Sequence, residues 1–155
     1  MRRFLISLIC LIAVAAVAAA PMPAANQTRP AAGTSKDASL FDRLGGMPGV
    51  TALVDDFVNR VGADARINSF FAKADMTRLR KQLTDQLCQL AGGPCTYTGG
   101  DMLTVHKGMG IAGADFQAMM EDLIAALRHA KVSSGDEGAL VGRLLPLKPD
   151  IVERP

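Results

Sequence analysis

The sequence predicts an all-α fold on three observations. Apolar residues recur at i, i+3, i+4 and i+7 in separate stretches, and no stretch alternates apolar with polar residues as a half-buried strand does. Ser, Asp, Gly and Pro stand where such helices need caps and stops. With 155 residues, 49% of them hydrophobic, the chain has room for one domain with a real core.

The first segment stands apart from that domain. Arg2-Arg3 precede an uncharged apolar run, Phe4 to Ala20, that ends in the small residues Val17-Ala18-Ala19-Ala20. Residues 1–20 therefore read as an export signal cut after Ala19 or Ala20, with retention as an uncleaved membrane anchor as the alternative. Export implies a periplasmic or extracellular location. Residues 21–38, rich in Pro and Ala with some Thr, have too little apolar bulk to bury and read as a disordered linker. The folded domain is expected over 39–152.

Each helix in that domain has its own justification. Ser39 can cap a short helix over Leu40 to Leu44, stopped by Gly45-Gly46. Pro48 suits a first turn, and Val50, Leu53, Val54, Phe57, Val58 and Val61 then form a full apolar stripe. A short turn follows through Ile67 to Phe71. Asp75 can cap a helix carrying Met76, Leu79, Leu83, Leu87 and Leu90, ended by Gly92-Gly93-Pro94. Beyond a loop with Tyr97 and Gly99-Gly100, Asp101 can cap a short helix whose one face holds Met102, Val105, His106 and Met109. Phe116, Met119, Met120, Leu123, Ile124 and Leu127 mark the next helix. A last one opens with a capping box from Ser134 to Glu137, carries Leu140, Val141, Leu144 and Leu145, and is disrupted at Pro146.

Charge excludes one class of partner. Loss of residues 1–20 removes Arg2 and Arg3, leaving 15 Lys and Arg of the original 17 against 15 Asp and Glu. A near-neutral domain with few aromatic residues has no footprint for nucleic acid. Export also removes Cys10 and leaves Cys88 and Cys95 where thiols tend to oxidise. In an unbroken helix these two would lie about 10 Å apart, too far to bridge, but Gly92-Gly93-Pro94 can fold the chain back and allow a disulfide. The alternative is two unpaired buried thiols.

No phosphate-cradling glycine loop, HExxH pattern or nucleophile motif is present. His106 lies on the apolar stripe of its helix, whereas His129 falls off the stripe beside Arg128 and reads as solvated. An inward histidine is either a hydrogen-bonded core residue or a ligand. No second His, Cys or carboxylate stands nearby at ligand spacing, so a multidentate zinc or copper site is hard to build. Haem needs only one axial side chain and an apolar slot, because the porphyrin supplies the other donors.

Six blocks carry a family resemblance. They are Leu40-Phe41-Asp42-Arg43-Leu44-Gly45-Gly46, Asp55-Asp56-Phe57, Ile67-Asn68-Ser69-Phe70-Phe71, Asp75-Met76-Thr77-Arg78-Leu79, Gly92-Gly93-Pro94 with Tyr97-Thr98-Gly99, and Met102 followed by Val105-His106-Lys107-Gly108-Met109-Gly110-Ile111. In order and spacing they resemble the signature blocks of the group I truncated haemoglobins, a bacterial-like globin family, over about residues 39–152. The resemblance implies a two-over-two helical sandwich holding haem b, with His106 as the iron ligand, Phe71 against the haem face and Met102 on the proximal side. Tyr97 and the basic residues from Arg78 to Lys81 are then candidates for the propionates. It also implies a diatomic gas ligand and an electron donor that keeps the iron ferrous.

Two departures bear on function. Well-studied members of that family supply a Tyr after the residue matching Phe57 and often a Gln on the next long helix; here Val58, Leu79 and Leu83 occupy those positions, so an apolar ligand pocket is expected. A hydrogen bond to a charged ligand is worth roughly 1.5–3 kcal/mol, or about 10- to 150-fold in affinity, so its loss should speed O2 release and tilt selectivity toward CO and NO. Gln82 and Gln86 lie at neighbouring angles and can turn inward. The sequence thus reads as a gas-binding haem protein, with a haem oxidoreductase (NO dioxygenase or peroxidase-like) and a haem-free interaction or thiol-redox module using Cys88 and Cys95 as the alternatives.

Overall fold

A computed structural model describes residues 38–154. The expectations of an export signal and of a linker up to residue 37 lie outside the described residues. Seven α-helices follow: α1 (Leu40–Arg43), α2 (Gly46–Ala63), α3 (Met76–Leu90), α4 (Met102–His106), α5 (Gly113–His129), α6 (Ser134–Leu144) and α7 (Lys148–Ile151). Short 3-10 turns occupy Asn68–Phe71 and Leu145–Leu147. Among the described residues no helix is long and apolar enough to cross a membrane.

Local chemistry sets most of the boundaries. Ser39 and Asp42 form a reciprocal capping box at α1, and the Asp75 carboxylate accepts from the amides of Thr77 and Arg78 at the start of α3. The cap of α6 is Ser133, one residue before the expected Ser134, and its hydroxyl accepts from Asp136 N. Glu137, read from sequence as the partner in that cap, instead holds Arg128 with two bonds of 3.0 Å. Pro146 does end α6, but the chain coils on: proline is tolerated in a first turn, where no amide is needed, so the 3-10 turn and α7 follow directly.

The core is built on α2. All six stripe residues from Val50 to Val61 are buried, against α3 on one side and α5 on the other, and α6 packs on α5. Full burial of each such side chain contributes about 1.5–3 kcal/mol, so truncating Val54 or Leu127 would open a cavity that the close-packed neighbours cannot refill. In α3 the buried residues are Thr84, Leu87 and Cys88, while Leu79 and Leu83 stay half-buried. The bare face of α3 is therefore its first half. Helix α4 has no buried residue at all and leans on α7.

Cys88 and Cys95 are joined in a disulfide with their Cα atoms 5.8 Å apart. The turn that brings them together closes when Gly93 N donates to Cys88 O at 2.8 Å. Gly93 itself sits against Phe41 and Cys88 so closely that a Cβ there would lie 2.6 Å from the Phe41 ring. Glycine at this position lets α1, the end of α3 and the disulfide pack in one place.

Candidate functional site

The bare faces of α3, α4 and α5 enclose two adjoining cavities of about 430 and 130 Å³. They share a wall made of Phe57, Leu79, Leu83, His106, Phe116, Met119 and Ile151. These residues come from α2, α3, α4, α5 and α7, so the slot is a product of the whole fold.

His106 stands at the C-terminal end of α4, half-buried and bordering both cavities. Asp101 opens that helix by accepting from Thr104 N at 2.8 Å. The His106 Nδ1 lies 2.8 Å from the Met102 carbonyl oxygen. A carbonyl can only accept, so Nδ1 carries a proton, and in the neutral ring the lone pair is then on Nε2. This is the arrangement that orients an imidazole for a metal.

The remaining sequence candidates divide between the cavities. Leu79 and Leu83 border both, Met102 and Tyr97 border the larger, and Phe71 borders the smaller. Val58 borders neither: it is 1% exposed within the core, and its predecessor Phe57 faces the slot instead. Neighbouring helix positions point about 100° apart, so one residue of the pair can face the slot while the other packs inward. Of the basic run after Asp75, Arg78 borders the larger cavity, whereas Arg80 is engaged by Asp55 and Asn59 at 2.7 and 2.8 Å and Lys81 by Asp85. Burial and the nearby Asp101 push the Tyr97 phenol up, and its hydroxyl donates to Gly100 O at 2.9 Å.

Sequence reasoning left open what the structure places on the wall. Gln82 and Gln86 both line the larger cavity. The Gln82 Oε1 is buried with no hydrogen-bond partner, and Gln86 Nε2 is 3.5 Å from Met102 Sδ, a weak contact. Phe116 and Ile151 are further wall residues: in sequence Phe116 reads only as part of a helix stripe, and Ile151 lies past Pro146, where helix is expected to stop.

Among the described residues there is no group of three or more His, Cys, Asp or Glu able to hold a metal ion. A group that brings its own equatorial donors and asks for one imidazole fits these residues: a free Nε2, a slot walled by Phe and Leu, an orphaned amide beside it and an arginine at its edge.

Residues 39–153 match the family model described as bacterial-like globin. The chain belongs to the bacterial-like globins, as a group 1 truncated haemoglobin. Over 117 residues this globin is 35% identical to the group 1 truncated hemoglobin of Mycolicibacterium paratuberculosis, covering 76% of this chain and 86% of the relative. The crystal structure of the truncated hemoglobin from Tetrahymena pyriformis in its Fe(III) form matches with a TM-score of 0.72 at 33% identity, over 74% of this chain and 98% of that one. The 2/2 hemoglobin from Synechococcus sp. PCC 7002, in the cyanomet state with covalently attached heme, matches at 0.71 and 28% identity, over 76% and 100%. The globin's two-over-two fold is the α2–α3 pair laid against the α5–α6 pair, and it is a haem protein by family.

Proposed function

We propose that this globin takes a haem b in the slot between α3 and α4, where His106 would ligate the iron, and binds a diatomic gas reversibly outside the cytoplasm. The carrying observation is His106 itself, whose Nδ1 is committed to the Met102 carbonyl while the residue borders both cavities. Bound haem supplies a ferrous iron that takes O2, NO or CO. The chain's part is to hold and to select. Phe57, Leu79, Leu83 and Phe116 keep water from the slot, and Met102 and Phe71 supply apolar contact on its two sides. Arg78 and Tyr97, which both line the larger cavity, are the candidates to meet carboxylates such as propionates.

Selectivity turns on Gln82. The pocket is less apolar than Val58, Leu79 and Leu83 led us to expect, because an amide with an unmet acceptor stands on its wall and its NH2 can donate to a ligand. An amide neither gives nor takes a proton near neutral pH, so it favours binding over a peroxidase-like reaction, which needs an acid or base. The thiol-redox alternative loses its nucleophile, since Cys88 is fully buried and bonded to Cys95. An external electron donor would keep the iron ferrous.

Absorption spectra of the haem-reconstituted chain and of His106→Ala, in ferric, ferrous, CO and O2 states, test the reading. We expect a Soret band and a CO complex of the histidine-ligated kind, lost or shifted in the variant. An unchanged spectrum in His106→Ala, or no haem uptake by the wild type, overturns it.

A further inference from the structure

We propose that Glu153 is a positioning residue for His106, clasping the C-terminal tail over the loop that follows the histidine; this rests on the haem reading above. The Glu153 carboxylate accepts from two backbone amides of that loop, Gly108 N on one oxygen and Gly110 N on the other. Both glycines have positive φ, 81° and 66°, a conformation that suits glycine and turns neighbouring amides toward one anion. These two bonds hold the Glu153 carboxyl below its ordinary value.

The same stretch of tail is sewn to the loop along its backbone. Glu153 N and Arg154 N donate to Ile111 O at 2.9 and 3.1 Å, and Gly113 N donates to Arg154 O at 3.0 Å. Ala112 and Arg154 form a parallel bridge, and Arg154 Nε donates to Gly110 O at 2.7 Å. Just before the clasp, Ile151 lines both cavities.

Helix α4 needs such help. Five residues with no buried side chain cannot hold a helical turn by themselves, and His106 is the last of the five. Asp101 fixes the front of α4 and the Met102 carbonyl fixes the rotation of the ring. The direction in which the helix end points is set by the turn after it, where Met109 N donates to His106 O and the Glu153 clasp begins. Glu153 lines neither cavity; it acts through residues 107–111 on the aim of the imidazole.

The experiment compares the full chain with Glu153→Ala, Glu153→Gln and a remote control, Arg128→Ala, which breaks only the surface pair with Glu137. Three quantities are read: amide exchange at Gly108 and Gly110 in the haem-free chain, the ferrous iron–histidine stretching band, and the rate of haem transfer to an acceptor apoglobin. In Glu153→Ala exchange at both glycines should rise about tenfold, the band should shift or broaden, and haem transfer should quicken about tenfold, the range expected for bonds to a charged group. Glu153→Gln, which keeps one carbonyl acceptor, should fall between, and it carries the comparison if Glu153→Ala does not fold. Arg128→Ala should leave all three unchanged. Faster exchange with an unaltered band and transfer rate overturns the positioning role, as does a shift of equal size in the control. A wild type without a histidine-ligated spectrum sinks the haem reading, and the role toward His106 with it.

Discussion

Gln82 presents a carbonyl oxygen that is buried at the slot wall with nothing to accept from. Leaving such a group unpaired costs about 1–3 kcal/mol, which a water donating to the oxygen recovers, whereas a diatomic ligand has no hydrogen to give and can only accept from the amide's NH2. Replacing Gln82 by Leu should raise the O2 dissociation rate about tenfold and change CO release far less, which flash photolysis and stopped flow would show. Equal effects on the two gases would mean that the amide acts by bulk alone. A second orphan is the Asp122 Oδ2, buried in α5. Burial, and then the charge of Asp64, push this carboxyl up, so its favourable contribution is present below its unfolded value and lost as pH rises through the folded one. Asp122→Asn should therefore raise Tm at neutral pH and give no gain near pH 3; a benefit at both pH values would refute the charge argument.

At the scale of elements, α3 shows what pattern can and cannot reveal. Its cap at Asp75 and its end before Gly92 were readable, because caps and breakers are local chemistry. Its apolar residues were readable as a stripe, but whether Leu79 and Leu83 enter a core or a slot depends on what stands opposite, and periodicity is blind to that. Likewise Val58 and Phe57 are both apolar, and only the angle of α2 decides which of them faces the slot. Gln82 was open for the same reason, and Glu153 was invisible, since its partners are backbone amides that any sequence carries. The disulfide joins elements in a way that spacing did make legible. It closes a loop of eight residues, from Cys88 to Cys95, and the chain-entropy estimate for so short a loop is about 2.5 kcal/mol. A Cys88→Ser, Cys95→Ser double variant should accordingly melt about 10 °C lower, and dithiothreitol should lower the wild-type Tm toward the same value. Gly93→Ala should be at least as damaging, because its Cβ would strike Phe41 and the Cys88 sulfur.

For the molecule as a whole, charge pairs tie the helical layers together and set the response to acid. Asp56 holds Arg60 at 2.9 Å within α2 and reaches His129 of α5 at 3.1 Å. Burial pushes the Asp56 carboxyl up, but these two partners outweigh it and the net value is lowered. Asp136, where Arg43 and Ser133 likewise outweigh burial, and Asp64 and Glu121, both held by Arg66, are also lowered. A carboxyl lowered in the folded state contributes stability that is present above its unfolded value and lost as pH falls through the folded one. Acid unfolding should thus begin below about pH 4, and Asp56→Asn should lose stability at pH 7 while matching the wild type at pH 2. Circular dichroism melts at the two pH values would check this.

Helix α4 buries no residue of its own, yet it carries the histidine and forms one wall of the slot. Elements with little buried area open most readily. The receptor for haem should therefore spend part of its time ajar, and capture should wait on that wall rather than on diffusion. As haem concentration rises, the observed uptake rate should level off at the rate at which α4 swings open.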